Sequence, residues 1–198
     1  MTRVKICGLR REEDARCVND CMPDFAGFVF APGKRQVDAG AGARLRDILD
    51  PRIQTVGVFV NQDPRWIAEL CRAGVVNLVQ LHGDEGDEDV REIKERAGGV
   101  PVIRVVRVGT ALPPLPAADY LLFDTLAAAR GGTGRSFDWG LVRGVRTPFF
   151  LAGGLHPGNV ARAIAAVRPA CVDVSSGVET QGVKDPAKIA AFVERVRG

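Results

Sequence analysis

Short apolar runs alternate with helical segments about eight times along this chain, and that alternation restricts the fold more than any other feature. The first run is Val4-Lys5-Ile6-Cys7-Gly8. Val4 and Ile6 fall on one strand face, Lys5 and Cys7 on the other, and Gly8 ends the run. Further strands are expected over residues 25–30, 54–60, 78–82, 100–108, 120–125, 148–154 and 171–177. Helices are expected over 10–19, 41–49 and 157–167, from Asp63-Pro64, opening with the acidic run 84–89, and from Asp185-Pro186 to Val196. An Asp followed by Pro is a capped helix start, and acidic residues suit the positive end of a helix dipole.

Strands that are separated by helices pair in parallel. A closed (β/α)8 barrel and an open doubly wound sheet both satisfy the pattern; the strand count favours the barrel, although 198 residues is near its lower size limit. Segment 109–118 contains Pro113, Pro114 and Pro116 and cannot form a full helix. Only a short helical candidate follows Asp138, after the glycine-rich Gly131-Gly132-Thr133-Gly134. The expectation is an α/β protein, one (β/α)8 TIM-barrel domain over residues 1–198, compact because its fifth and sixth helical segments are short or irregular.

Composition narrows the function classes. The net charge is only +3 and the basic residues are scattered, which argues against nucleic acid as a partner. Five cysteines without a C-x-x-C pair, and only two histidines, give neither a disulfide frame nor a metal site. No run is long and apolar enough to span a membrane, and no leader is visible, so a cytoplasmic protein with reduced thiols is expected.

Strand parity then sorts the polar residues. Lys5 with Cys7, Gln80 with His82, Tyr120 and Leu122 with Asp124, and Asp173 with Ser175 each share a face. The opposite faces are mainly apolar, as packing under helices requires. The polar set therefore gathers at the C-terminal rim, where barrel enzymes carry their sites. Cys7 at the first strand's tip is either a small core residue or a nucleophile or base. Glycines in Ala152-Gly153-Gly154-Leu155 and Ser175-Ser176-Gly177 would let backbone approach an anion, in the loops that commonly bind phosphate in this fold.

In order along nearly the whole chain, several segments resemble the phosphoribosylanthranilate isomerase family. They are Lys5-Ile6-Cys7-Gly8, Gly27-Phe28-Val29-Phe30, Arg35, Gln80-Leu81-His82-Gly83, Phe123-Asp124, Gly131-Gly132-Thr133-Gly134, Ala152-Gly153-Gly154-Leu155, Asn159-Val160 and Asp173-Val174-Ser175-Ser176-Gly177-Val178-Glu179. The resemblance implies a cofactor-free Amadori rearrangement in tryptophan biosynthesis, with Asp124 as general acid and Cys7 as general base. It implies a small phosphorylated substrate, held by Gly154, Ser175, Ser176 and Gly177 at its phosphate and by Arg35 at its carboxylate. Asp173 and His82 are expected as further contacts, and the protein as a monomer or homodimer. A modest downward shift of the Cys7 pKa would supply thiolate. Lys5 is expected as a helper cation or as an ion-pair partner deeper in the barrel. Gly33 stands where the family commonly has Ser, which is expected to loosen the loop that carries Arg35. The indole-3-glycerol-phosphate synthases share this fold but use lysines at strand tips, and here Lys5 is set back from its tip.

Overall fold

In the computed structural model, which describes residues 1–126 and 137–198, eight parallel strands close on themselves in chain order. They are β1 (Arg3–Cys7), β2 (Phe25–Val29), β3 (Gln54–Phe59), β4 (Leu78–Leu81), β5 (Val102–Val108), β6 (Tyr120–Thr125), β7 (Phe149–Leu151) and β8 (Cys171–Val174). The last strand returns to the first, with Arg3 opposite Cys171 and Lys5 opposite Asp173. The closed barrel, not the open sheet, is the fold.

The described residues include six α-helices: α1 (Glu12–Cys21), α2 (Ala39–Ile48), α3 (Pro64–Arg72), α4 (Asp87–Arg96), α5 (Val160–Val167) and α6 (Pro186–Arg197). Their starts follow from local chemistry. Asp63 caps α3 through the Arg65 amide, and Asp185 caps α6 through the amides of Ala187 and Lys188. Asp87, Glu88 and Asp89 occupy the first turn of α4. The proline-rich segment between β5 and β6 is not helical, and after Asp138 there is only a 3-10 turn at Trp139–Val142. The compact barrel with its irregular fifth and sixth segments is therefore as expected. Gly131-Gly132-Thr133-Gly134 lies outside the described residues.

Several boundaries differ from expectation. Helix α1 starts two residues later than expected, where buried Asp14 accepts hydrogen bonds from the amides of Arg10 and Arg11. Strands β7 and β8 end earlier than expected, because Gly153 and Gly154 turn the chain at positive φ and Ser176–Val178 forms a 3-10 turn. A two-stranded ribbon, β9 (Glu179–Thr180) and β10 (Val183–Lys184), follows β8 and was not foreseen.

Two apolar masses hold the barrel. Outward-facing Val4, Ile6, Phe28, Val79, Phe123 and Val172 pack beneath the helices. Inward-facing Phe25, Val56, Leu78, Ile103, Leu122, Phe150 and Cys171 fill the barrel's interior. The period of two that separates these sets is the one that brings the polar rim residues together.

Candidate active site

Cys7 ends β1 and Asp124 lies near the end of β6, so both stand at the same mouth of the barrel. They line one cavity of about 370 Å³, together with Arg35, Gln80, His82, Asp173 and Ser175. Burial raises the Asp124 pKa above its ordinary value. The Thr125 amide, which donates to Asp124 Oδ1 at 2.8 Å, opposes the shift, and the Asp173 charge reinforces it. The direction favours the protonated carboxyl. The Cys7 thiol is raised as well, because burial outweighs the lowering by Lys5. This corrects the expected downward shift: the Cys7 side chain is nearly enclosed, which no local sequence feature reveals.

Lys5, two residues below Cys7 on the same face, is fully buried, and its Nζ donates to Asp173 Oδ1 at 3.0 Å. The β1–β8 register sets these residues side by side. Burial works against the ammonium, but the charges of Asp173 and Cys7 outweigh it and raise the Lys5 pKa. Lys5 forms the ion pair in the barrel, and its charge also opposes the upward shift of Cys7. His82 is held near neutral form: burial, Arg107 and Lys5 push its pKa down to about 4. Its Nδ1 is 3.4 Å from Gln80 Nε2, and its Nε2 is 3.9 Å from Asp124 Oδ2.

Beside Asp124 the mouth continues into a smaller cavity of about 150 Å³, lined by residues 152–155 and 173–177. Gly154, Asp173, Ser175, Ser176 and Gly177 all line it. No acceptor among the described residues takes the amide N–H groups of Gly153, Gly154, Ser176 or Gly177. Asn159 fixes one loop, donating to the Gly154 carbonyl at 2.9 Å and accepting from the His156 amide at 2.9 Å. Gly177 fixes the other by close approach, since a Cβ there would lie 1.9 Å from the Leu155 carbonyl oxygen. Free amides beside a small polar hollow are an arrangement that suits an anion.

Arg35 reaches the mouth from the loop after β2, and Glu179 grips it there. Arg35 Nε and Nη2 donate to the two Glu179 oxygens at 2.7 and 2.6 Å. Lys184 Nζ donates to Glu179 Oε1 at 2.8 Å and to the Ser175 carbonyl at 2.9 Å. These cations overcome the burial of Glu179 and hold its pKa down at about 2. Gly8, at φ +84°, leaves the space that Arg35 crosses; a Cβ there would lie 2.6 Å from Arg35 Cδ. The loosening expected from Gly33 is therefore overridden at Arg35 by a bidentate long-range pair.

Glu179 and Lys184 are the functional candidates that sequence reasoning missed. A signal existed: Gln181-Gly182, both at positive φ, forms a two-residue hairpin turn that sets Lys184 opposite Glu179.

Comparison with known proteins gives one consistent result. The family described as N-(5'phosphoribosyl)anthranilate (PRA) isomerase matches residues 4–195. An N-(5'-phosphoribosyl)anthranilate isomerase of Endomicrobium trichonymphae is 48% identical over 199 residues, covering all of this chain and 99% of that protein. The crystal structure of phosphoribosyl anthranilate isomerase from Thermotoga maritima superposes with a TM-score of 0.87 at 39% identity, covering 100% of both chains. A further isomerase structure, in complex with reduced 1-(o-carboxyphenylamino)-1-deoxyribulose 5-phosphate, has a TM-score of 0.82 at 36% identity, again over 100% of both chains. The Thermotoga maritima enzyme is described as dimeric. With a barrel mouth that joins Cys7, Asp124, a clamped arginine and an amide-lined hollow, this chain belongs to the phosphoribosylanthranilate isomerase family.

Proposed function

We propose that residues 1–198 act as one catalytic domain that converts N-(5-phosphoribosyl)anthranilate to 1-(2-carboxyphenylamino)-1-deoxyribulose 5-phosphate, the isomerisation of tryptophan biosynthesis. The observation that carries this reading is the shared cavity, in which Cys7 and Asp124 both face the space between Arg35 and the Ser175 loop. The distribution of charge supports a substrate with an anion at each end. The amides of Gly154, Ser176 and Gly177 suit the phosphate, and the planar guanidinium of Arg35 suits the carboxylate.

The chemistry follows from the two side chains. Protonated Asp124 donates its proton to the furanose ring oxygen, the C1–O bond breaks, and the anthranilate nitrogen becomes an iminium. The Cys7 thiolate then takes the proton from C2 and leaves an enolamine. The enolamine becomes the ketone as its hydroxyl proton is lost and C1 is protonated. Burial shifts Asp124 toward the form this needs. It disfavours the Cys7 thiolate, so the base works from the fraction of enzyme in which the thiol has already lost its proton to solvent. Asp173, tied to Lys5, and neutral His82 are proposed as polar contacts of the sugar and the amine.

Every proposed group comes from one chain, so either a monomer or a homodimer would carry a complete site. No helix among the described residues is long and apolar enough to cross a membrane, in keeping with the proposed cytoplasmic location. The test is incubation of the purified protein with N-(5-phosphoribosyl)anthranilate while loss of substrate fluorescence is followed. Formation of the ketose amine without carbon dioxide is the expected result. Absence of turnover, or release of carbon dioxide, contradicts the reading.

A further inference from the structure

We propose that Glu179 is a positioning residue that presents one fixed edge of Arg35 to the substrate's carboxylate, with Lys184 restoring the positive charge that Glu179 would otherwise cancel. The inference rests on the proposed function and deepens it.

A guanidinium has five N–H donors arranged along its edges. Glu179 occupies the Nε–Nη2 edge with two short hydrogen bonds, which leaves the Nη1–Nη2 edge. Nη1 has no hydrogen-bond partner among the described residues, and Arg35 lines the cavity that contains Cys7 and Asp124. That open edge is itself a two-pronged donor with the spacing of a carboxylate. The clamp thus converts a long, flexible side chain into a receptor with one orientation. Its ordering takes place on folding, not on binding.

Charge completes the argument. A single Arg35–Glu179 pair is neutral and would attract an incoming carboxylate weakly. Lys184 bonds the same Glu179 oxygen that receives Arg35 Nε, and its side chain is only 2% exposed. The three groups together are singly positive, so one substrate carboxylate brings the cluster to neutrality. Lys184 also holds the Ser175 carbonyl, and so ties this receptor to the phosphate loop.

The test uses two competitive inhibitors, the reduced product analogue and the same compound with a plain phenyl ring that lacks the carboxylate. The native enzyme is expected to bind the carboxylated compound more tightly. Glu179→Asp keeps the cluster's charge but withdraws the oxygens by one methylene, and it is expected to weaken the carboxylated inhibitor about tenfold while leaving the phenyl compound within about twofold. In an Arg35→Met background the same substitution should change neither inhibitor's affinity further. If Glu179→Asp does not fold, Glu179→Gln combined with Lys184→Met keeps the single positive charge, removes the bidentate acceptor, and should lower the preference in the same direction. An unchanged preference in the folded variant, equal weakening of both inhibitors, or no preference in the native enzyme overturns the inference. Turnover of N-(5-phosphoribosyl)anthranilate by the native enzyme is measured alongside. Its loss would count against the proposed function, whereas turnover with an unchanged preference counts against Glu179 alone.

Discussion

The floor and the rim of the barrel interior are built by the same strand faces, and they differ chemically after a single step of two residues. Leu78 is followed on its face by Gln80, Leu122 by Asp124 and Cys171 by Asp173. Two residues of strand span about 7 Å. Below that step Phe25, Tyr120 and Phe150 meet ring to ring at 5.5 and 5.6 Å, and the Arg3 guanidinium covers Phe25 and Tyr120 from beneath. Above it lie an acid, a thiol, an imidazole and a clamped guanidinium. The apolar floor lies beneath Asp124, whose partial burial at the rim favours the neutral carboxyl.

If that division of labour is right, rim and floor substitutions have separable consequences. The largest effect is expected at the rim, where Cys7→Ala should lower kcat by about 10²–10⁴-fold with little change in melting temperature. Steady-state kinetics beside a thermal melt checks this. On the floor the pattern inverts: Phe150→Ala should destabilise the fold by about 3–5 kcal/mol, read from urea unfolding. Its kcat per folded molecule should stay far closer to native than that of Cys7→Ala. Arg35→Ala should raise KM about tenfold, with a smaller change in kcat, because the lost contact binds the end of the substrate remote from the reacting carbons.

The smaller effects concern pH. Because burial raises both Asp124 and Cys7, the logarithm of kcat/KM should be bell-shaped in pH. Its two breaks should lie above the usual Asp value of ~3.9 and the usual Cys value of ~8.5, and Asp124→Asn should leave only the rise that follows ionisation of Cys7. His82, with its pKa lowered to about 4, should add no limb near the usual histidine value of ~6.5. An NMR titration of its ring checks that directly. Glu179, lowered to about 2, should contribute stability that is full above its unfolded value of ~4.3 and lost as pH falls through about 2. The stability gap between native protein and Glu179→Gln should therefore narrow over that window in acid unfolding curves.

Much of this rim was legible beforehand because the information is local. Alternation within a strand told which face Cys7, Gln80, Asp124 and Asp173 would share, and three prolines foretold the missing fifth helix. What escaped depends on distance in the chain. Arg35 and Glu179 are 144 residues apart, so the looseness suggested by Gly33 gave no hint that a remote carboxylate holds the arginine. The Cys7 pKa escaped for the same reason, since its enclosure is assembled by neighbouring strands and not by its own segment.

The central claim is that Asp124 donates a proton during turnover and is not simply part of the binding surface. Its most direct test is kcat of Asp124→Asn measured beside the dissociation constant of the reduced product analogue. The account predicts a fall in kcat of about 100-fold or more, with the analogue bound within about threefold of native. Turnover within a few-fold of native would contradict it, as would a loss of activity matched by an equal loss of analogue binding.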